Sequence, residues 1–183
     1  MQGQLDIGLD DTGLRQAQQL AQALCGEKLA TVYSSDLQRA LATAQPLAAA
    51  TGAPISVQQE LRERCFGCFE GYTYAEIEAR WPTDAERWRR REMNFGPDGG
   101  ETLEAFYARC VGAAARFAAA HAGEAIAIVA HGGVLDCLYR AAVGVDLGAP
   151  RSWQLGNATI NRLLFNSESF SLVGWNDDAH LAV

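Results

Sequence analysis

The run Ala125 to Ala130, followed at once by His131-Gly132-Gly133, constrains the fold more than any other stretch of the chain. It is apolar throughout, with β-branched Ile126, Ile128 and Val129. A strand without a polar face has to be covered on both sides, which is the setting of a parallel sheet lying between helices. The run is far too short to cross a bilayer, which takes about 20 residues. Leu29 to Tyr33 has the same character, and both runs are flanked by segments of helical periodicity. Helices alternating with buried strands predict an α/β fold with a mostly parallel sheet.

The remaining elements fit that frame. Thr12 is predicted to cap a first helix whose inner face carries Leu14, Ala17, Leu20, Ala21 and Leu24, with Gly26 as its stop. Ser34, Ser35 and Asp36 offer caps for a second helix ended by Gly52 and Pro54, and Ile55 to Leu61 reads as another strand. Residues 63–100 are rich in glycine and proline, with short helices around Tyr74 to Arg80 and Ala85 to Arg91. Thr102 caps a long amphipathic helix reaching about Ala120, and a further helix runs to about Val143. Asn157 to Asn166 and Phe170 to Trp175 read as a hairpin around Ser167. No repeat or linker interrupts the chain, so residues 1–183 are expected to form a single domain.

Composition narrows the functional classes. With 49% hydrophobic and 20% charged residues, wholesale disorder is excluded. A net charge of -7 argues against nucleic acid, which needs a basic face. Neither a secretory signal nor a membrane span is visible, so the expected setting is cytoplasmic with no membrane partner. Lys28 is the only lysine, so nearly all the positive charge is arginine, a skew that with the many alanines reads as GC-rich coding bias rather than function. Five cysteines do not suit a disulfide framework. Cys65 and Cys68 form a C-x-x-C without a second pair to complete a zinc site, since Cys25, Cys110 and Cys137 stand alone. They read as two buried or half-buried thiols.

Ligands in such sheets bind beyond the carboxyl ends of the strands, where helix N-termini present free N–H groups. Two places qualify, Ser34 to Arg39 and His131 to Gly133. Arg39 lies in the opening turn of its helix, where a guanidinium fork grips phosphate oxygens, but it also reads as an ordinary exposed arginine. His131 is equally a satisfied structural histidine or a site residue, with glycines beside it that allow close approach to a ligand. Glu63, between Arg62 and Arg64, is either part of a solvated charge run or a proton donor at the sheet's edge. His121 and His180 read as capping or solvent-facing residues.

In order, the motifs are specific. Ser-Ser-Asp-Leu-Gln-Arg-Ala-x-x-Thr-Ala (Ser34 to Ala44), Leu-Arg-Glu-x-x-x-Gly-x-x-Glu-Gly (Leu61 to Gly71) and Val-Ala-His-Gly-Gly (Val129 to Gly133) closely resemble the histidine phosphatase superfamily, in its phosphoglycerate mutase-like branch. Gly3 to Ala17, Gly99 to Thr102 and Asn157 to Ile160 extend the resemblance to essentially the whole chain. It implies a three-layer α/β/α sandwich and metal-free, cofactor-free phosphoryl transfer through a phosphohistidine, acting on a small phosphorylated metabolite. Carried over by position, Arg39 is the phosphate clamp and Glu63 the proton donor. His131 is the second histidine, with the Gly132 amide beside it, and Gln2 and Gly3 line the substrate entrance. A cofactor-dependent mutase is the alternative enzyme, because Trp88-Arg89-Arg90-Arg91 resembles a basic stretch that mutases use for a substrate carboxylate.

One motif is not found. The family's Arg-His-Gly, carrying the nucleophile on a central first strand, belongs ahead of Gln2-Gly3, and no residue of this sequence matches it. The intact framework favours a longer protein of which this is a part. A short phosphoester-binding protein without turnover is the other reading. Either way, loss of a central strand is expected to leave backbone groups unpaired.

Overall fold

The computed structural model describes residues 1–182. In chain order the elements are α1 (Asp11–Ala23), β1 (Leu29–Ser34), α2 (Gln38–Thr51), β2 (Ile55–Val57), α3 (Tyr74–Arg80), α4 (Pro82–Arg89), α5 (Leu103–Ala120), β3 (Ala125–Val129), α6 (Gly132–Val143), β4 (Ile160–Phe165) and β5 (Phe170–Asp177). Strand β1 is the centre of a parallel sheet of order β2-β1-β3. Strand alternation sends Val32, Ala127 and Val129 to one face, against Ala44, Leu47 and Ala48 of α2. Tyr33, Ile126 and Ile128 face the other layer, built from Phe106, Cys110, Ala113 and Phe117 of α5 with Val134, Cys137 and Leu138 of α6. Helix α1 lies on α2. The result is a mixed α/β fold in three layers.

The structure departs from the sequence-based expectations in four places. Asp10, not Thr12, caps α1, its Oδ1 accepting from Gly13 N at 2.8 Å. That helix also stops at Leu24, ahead of Gly26. The predicted strand Ile55 to Leu61 is only Ile55–Val57, because the chain then turns through a 3-10 helix at Gln59–Leu61. Helix α2 starts at Gln38 behind Leu37, which makes no side-chain cap bond, so none of Ser34, Ser35 and Asp36 is its cap residue. Strands β4 and β5 form the expected hairpin, an antiparallel pair separate from the parallel sheet, and its Leu163 and Phe170 pack on the α5–α6 core. Finally, β3 is half-buried rather than the most enclosed strand. Among the described residues it pairs with β1 alone, and its last residues border a cavity.

Away from that cavity, α6 is anchored by a buried ion cluster. Arg140 is 1% exposed, and its Nε donates to Asp136 Oδ2 at 2.9 Å while Nη1 donates to the Asp146 carbonyl at 2.6 Å. Arg91 reaches the same carboxylate oxygen at 3.4 Å and the Leu147 carbonyl at 3.0 Å. The guanidinium of Arg140 also lies 4.7 Å from the Trp153 ring centroid. Removing one partner of such a pair leaves a buried charge uncompensated. Asp136→Ala is therefore expected to lower unfolding free energy by about 3–5 kcal/mol in urea titrations. Arg90→Ala, which breaks only an exposed pair with Glu86, is expected to change it by less than about 1 kcal/mol.

Candidate active site

The exits of β1 and β3 are tied side by side, because Ser35 N donates to the Val129 carbonyl at 3.0 Å. The segments leaving them, Ser35 to Arg39 and Ala130 to Gly133, therefore open at the same edge of the sheet. Between them and the stretch leading into β4 lies a cavity of about 690 Å³, bordered by Gln2, Arg39, Glu63, Ala130, His131, Gly132 and Asn157. Five of the six residues singled out from the sequence thus share one lining. The sixth, Gly3, touches it through Arg39, whose Nη2 donates to the Gly3 carbonyl and Nη1 to the Leu5 carbonyl, both at 2.8 Å. Two of the five guanidinium N–H donors are used in this way.

Gly3 has φ +55°, and a Cβ there would fall 2.2 Å from Glu70 Oε1. That oxygen accepts from both Gln4 N and Phe66 N at 2.9 Å, so Glu70 joins the N-terminal loop to the loop after Glu63.

The carboxyl of Glu63 is held by two amides. Oε1 accepts from Arg64 N at 2.9 Å, and Oε2 accepts from Gly133 N at 3.0 Å. Burial raises its pKa above the ordinary glutamate value, against the opposing pull of those amides and of Arg39 and Arg109. The backbone beneath it is fixed by Arg109, which donates to the Glu60 and Arg62 carbonyls at 2.7 and 3.1 Å and pairs with Glu101 at 2.7 Å. Arg62 in turn forms a two-point contact with Asp36. A Cβ on Gly133 would lie 2.2 Å from Glu63 Oε1, so this approach of α6 to the carboxyl requires glycine.

His131 is the N-cap residue of α6 and is 7% exposed. Its Nε2 lies 2.8 Å from Ser35 Oγ. Burial, and then the positive charge of Arg39, pull its pKa down to about 3, outweighing the opposite effect of Asp36, so the ring is neutral at pH 7. A neutral histidine, a raised carboxyl and an arginine around one cavity make an environment suited to a phosphoryl anion and a proton transfer.

Other candidates fall elsewhere. Arg89, Arg90 and Arg91 pair with Glu78, Glu86 and Asp136, and none borders the cavity. Cys65 and Cys68 are half-buried free thiols. His121 bonds Tyr33 Oη and Glu124, and His180 bonds the Ala158 carbonyl. Among the described residues, no three His, Cys, Asp or Glu side chains are grouped to hold a metal ion. Sequence reasoning missed the supporting roles of Ser35, Gly133, Glu70, Glu101 and Arg109. The last two meet the backbone around Glu63 from far along the chain, Arg109 at the Glu60 and Arg62 carbonyls and Glu101 at Cys65 N, and no local pattern marks them.

The chain matches the histidine phosphatase superfamily (branch 1) over residues 1–178. It is 37% identical over 185 residues to phosphoglycerate mutase-like protein 4 of Arabidopsis thaliana, covering 99% of this chain and 79% of that protein. It is 30% identical over 185 residues to a metal-independent phosphoserine phosphatase of the same plant, covering 100% of this chain and 76% of that one. The native structure of a mycobacterial glucosyl-3-phosphoglycerate phosphatase superposes with a TM-score of 0.84 at 32% identity, over 97% of this chain and 90% of that one. With its ordered motifs gathered at one cavity and a family match along nearly its whole length, the chain belongs to the histidine phosphatase superfamily, branch 1.

Proposed function

We propose that the protein is a metal-independent phosphomonoesterase that hydrolyses a small phosphorylated metabolite through a phosphohistidine. The observation that carries this reading is the buried carboxyl of Glu63, with its raised pKa, facing the same cavity as neutral His131 and Arg39. In the first step a histidine nitrogen attacks phosphorus, the ester P–O bond breaks, and protonated Glu63 gives its proton to the departing alkoxide. In the second step water attacks phosphorus, Glu63 takes up the water proton, and the P–N bond breaks with its electron pair returning to the histidine nitrogen, so that inorganic phosphate leaves. Arg39 has three N–H donors beyond its two carbonyl contacts, and with His131 and the Gly132 amide it stabilises the phosphoryl oxygens. Gln2 and Gly3 line the approach of the substrate. The engagement of Arg89, Arg90 and Arg91 in pairs away from the cavity supports hydrolysis over mutase activity.

His131 Nε2 is taken by Ser35, and neither His121 nor His180 borders the cavity. The family that the chain belongs to carries its nucleophile in an Arg-His-Gly motif on a central strand, and the unpaired edge of β3 beside the cavity suits such a strand. The test compares the chain alone with the chain carrying such a strand ahead of Met1, on p-nitrophenyl phosphate and phosphoserine. Turnover with an acid-labile phosphoenzyme is expected only when the strand is present, and EDTA should leave it unchanged. Activity that needs added zinc or magnesium would overturn the reading.

On the active form, Glu63→Gln is expected to lower kcat on phosphoserine by about 10²–10⁴-fold, the usual worth of general acid catalysis. The loss on p-nitrophenyl phosphate should be much smaller, because that leaving group needs little protonation. The acid works only while protonated, so the rate of enzyme phosphorylation on phosphoserine should fall as pH rises through the raised pKa of Glu63, and Glu63→Gln should abolish that alkaline limb. Arg39→Ala should slow both substrates alike, since every phosphoryl group needs the same charge stabilisation.

Gly133→Ala places a Cβ on the Glu63 carboxyl and pushes it off its two amides. Displacement by an ångström or so is expected to cost about 10²-fold in kcat on phosphoserine. Phosphate affinity, read as competitive inhibition by inorganic phosphate, should change much less.

A further inference from the structure

Ser35 is fully buried and stands immediately beyond β1. Every polar group it has is engaged. Its N–H donates to the Val129 carbonyl, its own carbonyl accepts from Ser34 Oγ at 2.9 Å, and its Oγ accepts from Leu37 N at 3.3 Å. The remaining contact is with His131 Nε2 at 2.8 Å. With Leu37 N donating into Oγ, the serine hydroxyl hydrogen has one acceptor within reach among the described residues, and that is Nε2. If Nε2 carried the proton instead, the hydroxyl hydrogen would be sealed in the protein without a partner, an arrangement that folded proteins avoid.

We propose that Ser35 is a positioning residue that fixes His131 in its Nδ1–H form, so that the ring presents an N–H donor, not a lone pair, to the cavity. The other nitrogen is placed for that task. His131 makes no side-chain cap bond to α6, its Nδ1 has no hydrogen-bond partner among the described residues, and this nitrogen is not sealed from solvent. His131 borders the cavity. The tautomer matters because a bare Nδ1 would set a lone pair against a phosphoryl oxygen, whereas Nδ1–H donates to it. The use of this donor rests on the phosphatase reading, but the tautomer itself does not.

The test uses protein labelled with ¹⁵N-histidine, with the ring nitrogens of His131 read by two-bond ¹H–¹⁵N correlation at pH 7. The unaltered protein should show protonated Nδ1 and bare Nε2. Ser35→Ala should shift the population toward Nε2–H, and Ser35→Thr, which restores the hydroxyl, should return it. Inorganic phosphate, titrated against the same signals, should bind about fivefold to tenfold more weakly to Ser35→Ala. An Nε2–H ring in the unaltered protein overturns the inference, whether or not Ser35→Ala folds. So does a tautomer that Ser35→Ala leaves unchanged. If the tautomer responds as stated while phosphate fails to bind to any form, the inference stands and the phosphatase reading falls.

Discussion

The contact on which the site depends is the one between the Glu63 carboxyl and the amide of Gly133. It joins the irregular segment after β2 to the first turn of α6, two parts of the chain that share no strand pairing. An isolated buried carboxylate is costly, and two N–H donors together with Arg39 and Arg109 recover only part of that cost. The balance leaves the group easier to protonate than a glutamate in water. Its position follows from what α6 lacks, since a side chain at Gly133 would occupy the space of the carboxyl oxygen.

Around that contact the fold spends arginines on geometry more than on ligand. Arg109 gathers the carbonyls of Glu60 and Arg62, Arg62 grips Asp36, and Arg64 donates to the carbonyls of Phe95 and Glu101. Burial lowers the pKa of Arg64 to about 10, still well above neutrality, so it stays charged. Loops without regular structure need such multi-donor side chains, because their backbone oxygens have no ladder to satisfy them. The arginine-rich, lysine-poor composition therefore has a structural use here that composition alone does not reveal.

The elements with strong periodicity were readable in the sequence. Helix α5 lies where Thr102 and its apolar face put it, and α6 where its apolar face does, because these signals act locally. The candidate site was legible only through ordered motifs: His131, Glu63 and Arg39 each admit an ordinary structural reading, and their meeting at one cavity is a property of the folded sheet. What stayed hidden was relational. Nothing around Ser35 marks a partner at His131, and nothing around Glu101 marks Arg109 as the clamp beneath Glu63. The half-exposure of β3 was equally out of reach, since an apolar run reports what a strand would bury and not which edge is paired.

The electrostatics of the cavity divide labour between its two nitrogenous side chains. The protein is acidic overall at -7, so attraction of an anion has to come from charges close to the site rather than from the whole surface. Arg39 supplies that charge, and its field contributes to holding His131 neutral. A neutral imidazole adds little long-range attraction, but it brings a directed N–H at a fixed angle. Were His131 charged instead, it would favour the ionised form of Glu63 and lower that pKa, leaving less of the protonated carboxyl that the proposed leaving-group protonation requires. The low pKa of one residue and the raised pKa of the other are thus consequences of the same enclosure. Burial disfavours charge on both side chains, while the field of Arg39 opposes a charge on His131 and favours one on Glu63.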